Sequence, residues 1–168
     1  MKMLIMFLDR LDKTILRQLQ NDASVSNLKL AEIVGLSAPA CLKRVKRLEK
    51  QGVITKRVAL LDQAKFGSSL HMIVEIMMQQ DRLDLNDAFI KTVRSCEQVH
   101  ECYKVTGEVD FVLIVVVPDM PSYEIFCDQI LYPHSNMRSF TTLISMNRVK
   151  YDTKVHIPAE SWNKCGQS

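Results

Sequence analysis

The chain contains 168 residues, of which 47% are hydrophobic and 24% charged, a composition that excludes a disordered, collagen-like or coiled-coil architecture. Its formal net charge of +3 conceals an asymmetry. Residues 1–65 hold 13 Lys and Arg against 6 Asp and Glu, a charge of +7, whereas residues 66–168 hold 9 against 13, a charge of −4. The asymmetry indicates a basic module for a polyanion and a second module with a different purpose.

The first part of the chain predicts three short helices. Asp9 is a candidate N-cap for the first helix, and Ser26 for a second helix that ends at Gly35. Ser37 is the natural N-cap of the third helix, which stops at Gly52. Three short helices with a glycine-containing turn between the second and the third predict a helix-turn-helix.

The period of the apolar residues changes after a predicted strand or hairpin at 53–61 and a hinge at 62–69. The elements predicted beyond the hinge are a strand at 70–78, a helix over 85–96, a strand at 99–106, a turn at 107–110, a strand at 111–117, a helix over 123–131 and a strand at 140–149. The order β-α-β-β-α-β predicts a ferredoxin-like sandwich.

The sequence therefore predicts an α+β protein with two domains. The predicted divisions are 1–52 for the helix-turn-helix, 53–67 for a linking strand and hinge, 68–158 for the ferredoxin-like domain, and 159–168 for a tail without an assigned role.

The third helix carries the candidate chemistry. Cys41, Val45 and Leu48 fall on one narrow face, which we expect to pack on the other helices. The opposite face is basic and begins with small residues, as suits a helix that enters the major groove of DNA. The residues predicted to contact DNA are Ser37, Pro39, Ala40, Lys43, Arg44, Lys46, Arg47 and Lys50. A merely solvated face is the alternative, which we disfavour because acidic partners are missing apart from Glu49.

The segment LDRLDKTILRQLQNDASVSNLKLAEIVGLSAPACLKRVKRLEKQGVI resembles the N-terminal module of the Lrp/AsnC (leucine-responsive, feast/famine) family of transcriptional regulators. The resemblance continues through VALLD, VTGEVDFVLIVVVPDM and MNRVKYDTKVHIP, and so covers about residues 8–158. It implies a helix-turn-helix of the winged type, a linking strand and a ferredoxin-like domain, often called the RAM domain. It also implies homodimers through the C-terminal sheets, which assemble into tetramers or octamers.

The resemblance further implies a small amino-acid effector, such as leucine or methionine, bound between dimers near a Gly-x-x-Asp turn. Asp110 or Glu108 would pair with the ammonium group, and backbone N–H groups of the turn would bind the carboxylate. The residues implied are Thr106, Gly107, Glu108, Asp110, Met120, Thr142, Leu143 and Ile144. The residues by themselves favour a plain β-turn in which Asp110 bonds its own backbone, and only the resemblance reverses that preference.

The cysteines and the apolar segments of the sequence indicate the cellular compartment of the protein and whether it binds a metal or a membrane. Five cysteines without C-x-x-C spacing indicate reduced thiols and a cytoplasmic protein. A zinc site at Cys96, His100 and Cys102 would lack a second ligand pair, so no metal or other cofactor is expected. The opening MKMLIMFL is too short to span a bilayer, and we expect no contact with a membrane.

Three alternative functions are weighed against a DNA-binding regulator that senses an amino acid. An enzyme is disfavoured, because the four histidines are scattered and no nucleophile, metal or phosphate motif accompanies them. An RNA-binding module is disfavoured because the predicted central strands are aliphatic or acidic rather than aromatic. An effector-independent regulator or architectural DNA-binding protein differs only in lacking the amino-acid ligand, and stays open.

Overall fold

Three helices form the N-terminal part of the protein, as predicted. The computed structural model describes residues 8–158, apart from the side chain of Ala64, so residues 1–7 and the predicted tail at 159–168 lie outside the described residues. The helices are α1 (Arg10–Asn21), α2 (Asn27–Val34) and α3 (Ala38–Lys50).

The ends of these helices follow from local chemistry. Asp9 and Asp12 form a reciprocal capping box at the start of α1, in which the Asp12 N–H donates to Asp9 Oδ1 at 2.8 Å. Ser26 caps α2 through the backbone N–H of Lys29. Gly35 ends α2 with φ of 69°, a left-handed conformation that side chains with a Cβ disfavour.

The predicted inner face of α3 is confirmed, since Cys41, Val45 and Leu48 are all buried. They pack with apolar residues of the other two helices, including Ile15 of α1. The side chain of Asn27 donates from Nδ2 to the carbonyl oxygen of Ala38 at 2.8 Å and so links the first turns of α2 and α3. The helix-turn-helix is thereby held by an apolar core and by a specific polar contact.

Residues 53–61 form no strand, and the prediction of a strand or hairpin there is wrong. The segment is rich in β-branched residues, but within the described chain no neighbouring strand offers it a ladder of hydrogen bonds. A short 3₁₀ turn, Gln63–Phe66, follows in the predicted hinge.

The chain divides into two units whose limits differ from the predicted domains. Residues 151–158 pack with residues up to 60 in an N-terminal unit, and residues 61–150 form a C-terminal unit. Gln20 of α1 binds this C-terminal segment, residues 151–158, through both polar atoms of its side-chain amide. Its Oε1 accepts a hydrogen bond from the Val155 N–H at 2.6 Å, and its Nε2 donates to the Val155 carbonyl oxygen at 3.2 Å. Arg17 adds a bond to the oxygen of Ile157.

The C-terminal unit is the predicted ferredoxin-like βαββαβ arrangement. Its elements are β1 (Leu70–Met78), α4 (Leu83–Arg94), β2 (Val99–Lys104), β3 (Phe111–Val117), α5 (Met120–Phe126) and β4 (Met137–Ile144). The four strands pair antiparallel in the order β2-β3-β1-β4.

One face of this sheet is covered by the helices. Burial alternates along β1 and β3, so that Met72 and Phe111 are inaccessible while their neighbours on the other face are only partly buried. Phe89 of α4 packs against Phe111 with ring centroids 5.0 Å apart. The second face carries further apolar side chains that no described residue covers fully: Ile73, Met77, Val112, Ile114 and Val116.

Several boundaries differ from the sequence prediction by two to five residues, and two of them have a clear physical cause. Helix α5 begins at Met120 rather than at 123, because Asp119 caps it. Pro121 is tolerated in the first turn, since the N–H that proline lacks would have no partner within the helix there. The helix continues into a π-helical turn, Cys127–Leu131. Strand β4 ends at Ile144 rather than at 149. The Ser145 N–H bonds to the His71 oxygen near the start of β1, so residues after 145 have no part of β1 left to pair with.

Candidate DNA-binding and effector sites

The outer surface of α3 matches the predicted groove face in most positions. Pro39, Lys43, Lys46 and Lys50 are exposed, and Ala40 is half-buried near the start of the helix. Ser37 occupies the N-cap position, but its hydroxyl makes no capping hydrogen bond. The first turn of α3 therefore presents small side chains and backbone N–H groups, which suit the approach of a phosphate.

The two arginines of α3 are engaged by α1. Arg44 Nη1 donates to Asp9 Oδ2 at 2.5 Å and to Asp12 Oδ1 at 2.9 Å. Arg47 Nη2 donates to Asp12 Oδ2 at 2.5 Å. The premise that acidic partners are missing apart from Glu49 is therefore wrong, and Glu49 itself pairs with Arg57. The contact of Arg44 and Arg47 with DNA stays a prediction.

Hydrogen bonds stabilise the charged forms in this cluster. Burial raises the pKa of Asp9, but the Asp12 N–H and the Arg44 guanidinium outweigh that effect and hold it below its usual value. Bonds to Asp9 and Asp12 raise the pKa of Arg44. Both shifts favour the charged forms of Asp9 and Arg44, so these two groups pair as carboxylate and guanidinium.

The lysines of α3 are in a different position from the arginines. Lys43, Lys46 and Lys50 form no ion pair with a residue in the described part of the chain. Three ammonium groups thus line the exposed side of the helix without a protein counter-charge. This is the electrostatic footprint expected for contact with DNA phosphates.

The Gly-x-x-Asp turn lies between β2 and β3, and its aspartate has a structural task. Asp110 Oδ2 accepts from the Met78 N–H at 2.7 Å, and the Asp110 N–H donates to the Ile76 oxygen at 2.8 Å. Gly107 has φ of 137°, which favours glycine. The carboxylate of Asp110 thus bonds the backbone of β1 rather than that of its own turn, so its role is structural but differs from the predicted β-turn bond. Thr106, Gly107 and Glu108 are exposed at the tip of the turn.

The other predicted effector residues form a second group on β4 and α5. Met120, Leu143 and Ile144 expose 42%, 47% and 54% of their surface, which is high for apolar side chains. Thr142 is half-buried and shares a hydrogen bond with the hydroxyl of Tyr123. Burial raises the pKa of Tyr123 to about 12, so this bond joins neutral groups.

The structure does not bring the two groups together within one chain. Asp110 bonds to Ile76 and Met78 at one end of β1, whereas Ile144 pairs with Met72 near the other end. At about 3.3 Å per residue, the levels of Met72 and Ile76 are about 13 Å apart along the strand. Met120 follows β3, whose last residue pairs with Leu70, and so lies towards the Ile144 end.

Other candidate sites found less support. Within residues 8–158, no group of three or more His, Cys, Asp or Glu side chains is arranged to hold a metal ion. The set Cys96, His100 and Cys102 is therefore not such a group. Cys41, Cys96, Cys102 and Cys127 are free thiols, and Cys165 lies outside the described residues. No helix among the described residues has the length and hydropathy needed to cross a membrane.

Asp9 and Asp12 were not predicted from the sequence as partners of α3. A signal was present, because Asp12 shares the helical spacing of Ile15, Leu16 and Leu19 and therefore lies on the apolar face of α1. A carboxylate on a buried face needs a cationic partner.

Two family models match the chain. Residues 8–55 match a model described as "Winged helix-turn-helix DNA-binding", and residues 71–155 match a model described as "Lrp/AsnC ligand binding domain". Between them they cover both units. Both families are those of regulators rather than enzymes.

The chain is similar along most of its length to known regulators. It is 37% identical over 150 residues to the leucine-responsive regulatory protein of Escherichia coli strain K12, covering 89% of this chain and 92% of that one. It is also 37% identical over 145 residues to an uncharacterized HTH-type transcriptional regulator of Sinorhizobium fredii, covering 86% of each.

Solved structures show the same fold. An AsnC family transcriptional regulator from Agrobacterium tumefaciens aligns with a TM-score of 0.82 and 35% identity, covering 89% of this chain and 97% of that one. A transcriptional regulator of Neisseria meningitidis, solved in complex with L-methionine, aligns with a TM-score of 0.82 and 28% identity over the same shares.

Proposed function

The chain belongs to the Lrp/AsnC family of DNA-binding transcriptional regulators, and from that premise we propose that it controls genes of amino-acid metabolism in response to a small apolar amino acid. The observation that carries the DNA-binding part is the row of lysines on the exposed face of α3, opposite the buried face. The protein would act in the cytoplasm on double-stranded DNA.

The DNA contact is supported by geometry and by charge. Lys43, Lys46 and Lys50 recur at spacings of three and four residues, so one side of the helix presents all three to the same groove. The first turn, with exposed Pro39 and half-buried Ala40, has small side chains that allow the helix backbone to approach base edges. Lysine contacts to phosphate supply affinity, whereas arginine contacts to base edges supply specificity.

A binding experiment tests this assignment. A duplex is selected by the full-length protein from a random library, and its dissociation constant is compared with that of a scrambled duplex of equal composition at moderate salt. We expect a clear preference for the selected duplex and weaker binding as salt rises. Equal binding to both duplexes would contradict a sequence-specific regulator.

The amino-acid effector is supported by the ligand-binding domain and by relatives. One relative is named leucine-responsive, and a structural neighbour was solved with L-methionine. In this chain Glu108 is exposed at the turn, while Asp110 is bonded to β1, so we propose Glu108 as the partner of the ligand's ammonium group. Backbone N–H groups at Thr106 and Gly107 would bind its carboxylate.

We further propose that the second group, Met120, Thr142, Leu143 and Ile144, comes from another copy of the chain. The separation of the two groups along β1 and the exposure of the apolar side chains both favour a ligand held between copies. Leu143 and Met120 would then supply an apolar wall for a leucine or methionine side chain.

A thermal-shift panel of free amino acids tests the effector. We expect stabilisation by one apolar amino acid and a smaller shift in Glu108→Gln. Glu97→Gln, an equal change of charge at an exposed position before β2, serves as the control and should respond like the wild type. A flat panel would contradict the effector and favour the effector-independent regulator, which the structural role of Asp110 keeps as the second candidate.

The open face of the sheet supports a homodimer. Ile73, Val112, Ile114 and Val116 form an apolar patch on the face that no helix of the described residues covers. We propose that two copies pair there and that dimers assemble into tetramers or octamers. Native mass spectrometry at micromolar concentration should show even-numbered assemblies, and Ile114→Asp should shift them to monomers. A wild-type monomer would contradict the proposal.

A further inference from the structure

A carboxylate occupies the buried face of α1 in the N-terminal unit. Asp12 is 1% exposed, and each of its oxygens accepts a hydrogen bond from a different arginine of α3. A buried carboxylate is unfavourable unless it is paired and hydrogen-bonded. Asp12 therefore fixes where the two guanidinium groups lie.

The two arginines are held to different degrees. Arg44 has 27% of its side chain exposed and bonds both Asp9 and Asp12 through one nitrogen. Arg47 has 46% exposed and bonds Asp12 through Nη2. Because a guanidinium carries five N–H groups, a single bond leaves several donors of Arg47 for another partner.

Resting on the proposed function, we propose that Asp12 is a positioning residue for sequence recognition, which holds the Arg47 guanidinium in the orientation that reads a base edge. Arginine binds guanine through two parallel N–H bonds, and this contact requires a defined orientation of the planar group. A side chain already fixed in the free protein loses less conformational freedom on binding. Arg44 adds a second link between α3 and the start of α1 through its bonds to Asp9 and Asp12.

The cations of α3 then divide into two classes. Arg47 is oriented and discriminates among sequences, while Lys43, Lys46 and Lys50 are unpaired among the described residues and bind phosphates of any sequence. The division assigns specificity and affinity to different side chains of one helix.

Asp12→Asn distinguishes positioning from charge because the two roles predict opposite changes. Removal of a negative charge from a basic unit strengthens binding to every duplex. Release of the Arg47 guanidinium weakens binding to the selected duplex alone. The quantity to measure is therefore the ratio of the dissociation constants for the scrambled and selected duplexes.

The experiment uses the full-length protein with the selected and scrambled duplexes described above. In Asp12→Asn we expect the ratio to fall by about fivefold or more, while affinity for the scrambled duplex stays equal or rises. Asp22→Asn is the matched control, because it removes the same charge beyond the other end of α1, where the carboxylate bonds Ser24. Its ratio should equal that of the wild type.

A second variant tests the same proposal at an exposed position. Arg47→Lys keeps the charge but lacks the planar fork, and we expect a loss of preference similar to that of Asp12→Asn. If Asp12 acts through Arg47, the double variant loses little more than either single variant. Fully additive losses would overturn the proposal.

The remaining outcomes are also decisive. A parallel rise in affinity for both duplexes in Asp12→Asn would overturn positioning in favour of a simple charge effect. A parallel fall, with faster hydrogen exchange in α1 and α3, would overturn it in favour of a structural role. Absence of any preference in the wild type would overturn the proposed function itself, and this result is obtained before any variant is made.

Discussion

The two units of this protein are stabilised in different ways. In the N-terminal unit, a small apolar core around Ile15 and Leu48 is accompanied by a buried carboxylate, Asp12, that pairs with arginines of the neighbouring helix. In the C-terminal unit, the core beneath the sheet is larger and apolar, with Phe89 and Phe111 at its centre. Charge thus helps to hold the unit that meets DNA, whereas burial of apolar area holds the other.

The difference has a functional meaning. A helix that must approach a polyanion needs cations on its surface, and these cations repel one another in the free protein. Carboxylates from α1 neutralise two of them and leave the three lysines of α3 unpaired among the described residues. The acidic C-terminal half has no such requirement, and its open apolar face suits pairing with another copy.

The largest expected effect comes from the core of the C-terminal unit. Phe111→Ala removes a side chain with no exposed surface and should lower the free energy of unfolding of that unit by about 3–5 kcal/mol. Hydrogen exchange with mass spectrometry reports each unit separately, and protection should fall in β1 and β3 more than in α1 to α3.

Phe66→Ala is the matched control, because Phe66 is 74% exposed in its 3₁₀ turn. We expect this variant to change stability by less than about 0.5 kcal/mol. Equal losses in the two variants, or equal loss of protection in the two units, would contradict this difference between the two units.

The second prediction uses pH to separate the units. Desolvation lowers the pKa of His134, and desolvation together with the charges of Arg148 and His100 lowers that of His71. In the unfolded chain the pKa of both histidines is about 6.5. Below that pH the unfolded chain binds more protons than the folded one, so the C-terminal unit loses stability as pH falls. Asp9, whose pKa is lowered, begins to destabilise the N-terminal unit only below about pH 4.

Urea unfolding and hydrogen exchange at pH 7.5 and 5.5 check this difference. Between these values we expect the C-terminal unit to be weakened and the N-terminal unit to change less. His134→Gln should reduce the loss, whereas His156→Gln, at an exposed position in the N-terminal unit, should not. Equal sensitivity of both units would count against the assignment.

The smallest expected effect concerns the segment that returns to the N-terminal unit. Gln20→Ala removes the two hydrogen bonds to Val155 and should lower stability by about 1 kcal/mol. The Val155 amide should then exchange faster. Gln18→Ala, two residues earlier on α1, is the control, and equal acceleration in both variants would show that the pairing does not hold the segment.

Local signals predicted much of this fold. Asp9, Ser26 and Gly35 mark helix ends through bonds to adjacent backbone groups, so the sequence contains all the partners. The alternation of β1 and β3 likewise follows from the chain itself. Features that depend on residues far away in the sequence were not predicted. Residues 53–61 have the composition of a strand but find no strand to pair with, and β4 ends where β1 begins.

The same limit applies to the candidate sites. The lysine face of α3 follows from helical spacing, but the ion pairs of Arg44 and Arg47 join residues 32 to 35 positions apart. The resemblance named both groups of effector residues without showing that β1 separates them. The sequence contained one clue to the ion pairs, the position of Asp12 on an apolar helix face, since a charge there requires a partner.

The central proposal is that DNA is bound by the lysines of α3, which have no ion-pair partner among the described residues. Its most direct test is the slope of log Kobs against log salt concentration, compared between the wild type and the triple variant Lys43→Ala, Lys46→Ala and Lys50→Ala. We predict a slope shallower by about 3 for each protomer that contacts the DNA, and so by about 5 for a dimer bound through both copies of α3, since each lost phosphate contact contributes about 0.9. Lys91→Ala, Arg94→Ala and Arg138→Ala, made together in the C-terminal unit, should leave the slope unchanged. An unchanged slope in the α3 variant, or an equal change in both, would contradict the account.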